Sequence, residues 1–112
     1  MTSSARALKP EGGTVVIVDN SPGGQVVHYL MDNFGSTIAG DLYMPIVPPP
    51  NVKDLIIFNK YPEGRLRARF PGFDRVFFTT RWSGVISTLK KLHGSRAKVA
   101  VYPNADTQIF KP

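Results

Sequence analysis

The chain has no cysteine among its 112 residues. That excludes disulfide scaffolds, thiolate zinc sites, iron–sulfur clusters and cysteine nucleophiles, and removes any need for an oxidising compartment. Histidine is nearly as scarce. His28 and His93 are the two present; neither belongs to an H-E-x-x-H pair or an acidic cluster, and G-x-S-x-G is missing. No catalytic residue and no metal ligand is therefore expected in this chain. Long apolar runs are lacking too: nothing approaches the ~18 residues of a membrane span, and the first residues have no signal-peptide core. A soluble protein of the cytoplasm, with no membrane partner, is the expectation.

Acidic residues are outnumbered, 8 against 14 Lys and Arg, for a formal charge of +6. The imbalance is local. Residues 1–52 hold Arg6 and Lys9 against four acids, whereas residues 53–98 hold eleven bases against Asp54, Glu63 and Asp74. A basic half attracts nucleic acid, an anionic cofactor or an acidic partner, and it serves equally as a solvated face. With 42% hydrophobic and 20% charged residues, the rest reads as one globular domain over 1–112.

Four segments read as strands. Thr14 to Val18 is an unbroken β-branched run, expected to be buried on both faces. Val52 to Phe58, Arg75 to Thr80 and Lys98 to Tyr102 are the others. Two helices fall between them. The first starts after Ser21, a good N-cap with Pro22 behind it, and ends before Gly35, with Val26, Val27, Leu30, Met31 and Phe34 on one stripe. The second opens at Ser83 and closes at Gly94, with Val85, Ile86, Leu89 and Leu92 inward. Residues 62–72 suit a short crossover helix, although Leu66, Ala68 and Phe70 also alternate as in a strand. Residues 36–51, with Pro45 and Pro48 to Pro50, form a Pro-rich loop that cannot be a central strand. Strands alternating with helices predict an α/β, Rossmann-like three-layer domain with a mostly parallel sheet of about four strands.

Ligands of such sheets bind outside the carboxyl ends of the strands. Ser21, Gly23 and Gly24 open the first helix, where free N–H groups and the positive dipole end favour an anion; a well-made N-cap explains the same residues. Gln25 and His28 share a face of that helix and can hydrogen-bond a carboxylate or hydroxyl, or stand as an exposed flank with His28 near Asp32. Lys60 and Arg81 follow two different strands and point at one crevice, each suited to phosphate or carboxylate. Trp82 either stacks on a ligand ring or covers the sheet edge. His93, before Gly94, is explained by the negative end of its helix.

The runs Ala7 to Leu30, Asp54 to Pro62 and Lys98 to Asn104 resemble the C-terminal domain of the lactate racemase family. The resemblance implies a two-domain enzyme whose N-terminal domain, in cis or in trans, carries the nickel-pincer nucleotide, its covalent lysine, a metal-ligating histidine and the catalytic histidine pair. It implies that this chain binds no cofactor alone, is inactive alone, and closes over cofactor and a small anionic substrate such as a 2-hydroxy acid through Gly23, Gly24, Gln25 and Trp82. His28 stands where members acting on lactate have lysine. Thr2 to Lys9 reads as the last turns of a helix feeding the first strand, so a C-terminal fragment of a longer protein is expected, with a homo-oligomer allowed.

Two alternatives are carried. Leu8 to Val18 also looks like the late strand of an S-adenosylmethionine-dependent methyltransferase, whose following strands include antiparallel ones. The basic stretch 53–98 suits a nucleic-acid or anion-binding module, but it lacks an RNP pair, a helix-turn-helix or a KH loop, so nucleic acid is the lesser expectation.

Overall fold

A computed structural model describes residues 2–19, 45–61, 67 and 70–103. Helix α1 (Thr2–Ala5) leads into strand β1 (Gly13–Asp19), followed by β2 (Val52–Asn59), β3 (Val76–Thr79) and helix α2 (Trp82–His93). The turn before β1 bonds Gly12 N–H to the Lys9 carbonyl at 3.0 Å. Gly12 has φ +108° there, a conformation that an L side chain resists.

The three strands form one sheet in the order β1-β2-β3, and both pairings are parallel. The domain is therefore α/β, as its alternating pattern implies. Val15, Ile17, Asp19 of β1 stand opposite Leu55, Ile57, Asn59 of β2, and Leu55 and Ile57 stand opposite Val76 and Phe78. These residues share one face, because side chains alternate along a strand. Val16, Val18, Ile56, Phe58, Phe77 and Thr79 share the other.

The first face carries the main core: Val15, Val52, Leu55, Ile57 and Val76 with Ala5 and Phe70, flanked by Leu8, Ile46 and Phe73. Val52 and Leu55 are three apart and would normally face opposite ways. They meet because the β1–β2 register slips between Gly13 and Thr14, leaving Lys53 as an extra residue, as in a bulge. Arg75 fills the irregularity, donating from Nε to the Lys53 carbonyl at 3.2 Å and to Asp54 Oδ1 at 2.7 Å.

Helix α2 lies on the second face. Trp82 meets Phe58 edge-on, ring centroids 5.6 Å apart, and Gly84 sits so close to Thr79 that a Cβ there would overlap its hydroxyl. Val85 is fully buried. At the far end His93 Nε2 hydrogen-bonds Thr14 Oγ1 at 2.7 Å, so the helix crosses from the end of β3 to the beginning of β1.

Several expectations are corrected. Residues 98–102 are not a strand; Val99 and Val101 are each 76% exposed, and among the described residues the sheet has three strands. Strand β1 is not buried on both faces, since Val18 is 61% exposed. Helix α2 begins one residue before Ser83, with Arg81 at its N-cap, and Ile86 is exposed rather than inward. The C-terminal Gly94 is as expected: φ +70°, its N–H bonded to the Lys90 carbonyl. Residues 45–51 run as irregular chain and turn, in line with their prolines. The expected helix after Ser21 and most of 62–69 lie outside the described residues. Among those described, no helix is long and apolar enough to cross a membrane.

Candidate functional site

All three strands are parallel, so their carboxyl ends meet at one edge. That edge presents Asp19, Asn59 with Lys60 and Tyr61, and Thr79 with the Arg81-Trp82 start of α2. Phe58 stands opposite Thr79, the last pair of these two strands, and Lys60 and Arg81 each follow within two residues of that pair. Both cations are exposed. Lys60 Nζ lies 5.9 Å from the Tyr61 ring centroid, a cation–π distance. Trp82 is held by one edge against Phe58 and remains 52% exposed, leaving ring surface for a ligand.

The loops carrying these groups are fixed from beneath. Asn59, buried at the end of β2, donates from Nδ2 to Asp19 Oδ2 at 3.3 Å and accepts the Tyr61 N–H at Oδ1, 2.8 Å. Thr79 does the same for the neighbouring loop: its Oγ1 accepts the Arg81 N–H at 3.2 Å and donates to the Arg81 carbonyl at 3.1 Å. The first turn then hangs from that carbonyl through Gly84 N–H at 2.9 Å.

The N-cap of α2 is electrostatically unusual. Caps are normally Ser, Thr, Asp or Asn, which satisfy a free N–H and complement the positive dipole end. Here the position is Arg81, with no side-chain cap bond and no acid in the first turn. A cation at the positive end costs helix stability and creates a field that favours an anion.

No protein-family model matches the chain, and no curated protein or solved structure matches it. The site stands on its own geometry.

Of the residues singled out from the sequence, Lys60, Arg81 and Trp82 are brought to this edge. Ser21, Gly23, Gly24, Gln25 and His28 lie outside the described residues. Asn59 and Thr79, which hold the two loops, carried no signal beyond being polar residues closing apolar runs. Among the described residues, no three His, Asp or Glu side chains gather as a metal would require.

A second polar group lies at the opposite, amino end of the sheet. Asp54 is buried, ion-paired with Arg75, and accepts weakly from Thr14 Oγ1 at 3.5 Å, while Thr14 also meets His93. These contacts tie α2 to β1 and β2, which gives His93 a partner besides the helix dipole.

Proposed function

We propose that this chain is the substrate-closing domain of a lactate racemase-like enzyme: it offers a small carboxylate cationic and aromatic contacts from the carboxyl edge of its sheet, while catalysis belongs to another domain, in cis or in trans. The observation that carries the reading is that Lys60 and Arg81 both follow the carboxyl ends of neighbouring parallel strands, beside the half-exposed ring of Trp82. Arg81 would grip the carboxylate through its planar fork, Lys60 would add a point charge, and Trp82 would cover the apolar side of a 2-hydroxy acid. On this reading the nickel-pincer nucleotide is held by the other domain, in a cytoplasmic setting.

The methyltransferase alternative draws no support from the strands among the described residues, which pair in parallel. The nucleic-acid alternative is weakened by where the bases go. Arg75 is spent on Asp54 and Arg67 lies 5.1 Å from the Phe78 ring centroid.

Trp82 is the one tryptophan, so its fluorescence reports directly on this edge. Titration with D- or L-lactate should give a saturable change that Arg81→Ala abolishes. Polarimetry should show no interconversion of the two by the chain alone. A flat titration overturns the binding role, and racemisation by the isolated chain overturns the division of labour.

A further inference from the structure

One cation near the carboxyl edge takes no part in the site above. The stretch from Lys60 to Phe73, which joins β2 to β3, holds Lys60, Arg65, Arg67 and Arg69 against Glu63 alone. Of the three arginines, Arg67 is among the described residues, and it is exposed. Its guanidinium carbon lies 5.1 Å from the centroid of the Phe78 ring, within cation–π range. That contact holds the group against the sheet and leaves the N–H donors at its rim open to a carboxylate or phosphate.

The position of Phe78 says where this cation stands. Phe78 pairs with Ile57, one step before the Phe58–Thr79 pair that ends the two strands. It shares the face of Ile57, whereas Phe58, Thr79 and the Trp82 ring against Phe58 belong to the other face. Arg67 therefore flanks the end of β3 on one face and the Arg81-Trp82 start of α2 flanks it on the other, with Lys60 following the neighbouring strand. Asp19, the acid at this edge, receives the Asn59 amide. Among the described residues the ion pairs join Lys9 to Glu11 and Arg75 to Asp54, and none takes up Lys60, Arg67 or Arg81. Three cations against one engaged acid exceed what a single carboxylate neutralises.

We propose that Arg67 is a specificity-determining residue of this edge, and that the ligand is a 2-hydroxy acid carrying a second anionic group, a carboxylate or a phosphate ester. Arg67 receives that second group while Arg81 grips the first. The inference rests on the carboxyl-edge reading above and sharpens its substrate class. A ligand with one carboxylate leaves either Arg67 or Arg81 without an anion; a second anionic group gives each arginine a partner suited to its planar fork.

Three 2-hydroxy acids that differ in one substituent test this on the full chain through Trp82 fluorescence: D-lactate, D-malate and D-3-phosphoglycerate. The second anionic group should tighten binding about tenfold, the scale of one charge-assisted contact. Whether malate or phosphoglycerate gains more says whether that group is a carboxylate or a phosphate. Arg67→Met keeps apolar reach over Phe78 and removes the charge; it should abolish the gain, and Arg67→Lys should restore part of it. Lys90→Met removes the same charge at the far end of α2 and should keep the gain. Equal affinities for the three acids overturn the second contact. A gain that survives Arg67→Met, or that falls as much in Lys90→Met, overturns Arg67 as its source. Lactate binding without any gain overturns this inference alone, whereas failure of all three acids to bind overturns the site itself, so the two proposals fail separately.

Discussion

Asn59 and Asp19 join the ends of two parallel strands through a single amide-to-carboxylate bond, Nδ2 to Oδ2 at 3.3 Å. The other side of the Asn59 amide receives the Tyr61 N–H. One buried side chain thus fixes both the strand ends and the direction in which Lys60 and Tyr61 leave the sheet.

Asn59→Ala should therefore cost about 1–3 kcal/mol, because it strands the Tyr61 N–H and removes a partner of a carboxylate. Urea unfolding measures this, and the Trp82 response to lactate should weaken as the Lys60 loop loosens. An unchanged midpoint would mean that the amide is replaced by water at no loss.

Arg81→Asp gives the most diagnostic pair of effects. Replacing a cation with a preferred N-cap acid should raise stability by about 1 kcal/mol while removing the anion contact. Denaturation and lactate titration on the same sample check both. A residue retained only for folding would not show gain in one and loss in the other.

At the seam between β3 and α2, Gly84→Ala should destabilise the domain, even though alanine favours a helix by about 1 kcal/mol over glycine, because its Cβ would meet the Thr79 hydroxyl. Adding Thr79→Ala should recover part of the loss. Additive effects in this double-mutant cycle would contradict the close approach.

Packing predicts a contrast along α2. Val85→Ala should cost about 1.5–3 kcal/mol, since Val85 is fully buried, whereas Ile86→Ala should stay within about 0.5 kcal/mol. Equal costs would mean that the helix is rotated relative to the sheet.

Arg75→Ala leaves the buried Asp54 carboxylate without its guanidinium. The Arg75 side chain is more than half exposed, so solvent moderates the loss to about 1–2 kcal/mol, below that of a fully buried pair. The gap between wild type and variant should narrow in high salt.

The fold class was legible because β2 and α2 carry unambiguous signals. Val52 to Phe58 has the apolar run of a central strand, and Gly94 marks the helix end by its conformation. Strand β1 looked equally apolar, yet burial depends on a neighbour that sequence does not name, and Val18 shows the difference. The alternation of Lys98 to Tyr102 signals capacity to pair, not an existing pairing. Of the site, Lys60 and Arg81 could be found because ligands gather at carboxyl ends of parallel strands. Asn59 and Thr79 could not, since their role is set by the register to Asp19 and by the approach of Gly84, both products of tertiary structure.

The proposed small-anion site comprises Lys60, Arg81 and Trp82. It is tested most directly by an amide and indole shift map of the labelled chain titrated with lactate, with glycerol as the neutral control. Saturable shifts centred on Lys60, Tyr61, Arg81 and the Trp82 indole are expected, absent with glycerol and lost in Arg81→Ala. Shifts centred on the Asp54–Arg75 end of the sheet, or none at these residues, would contradict it.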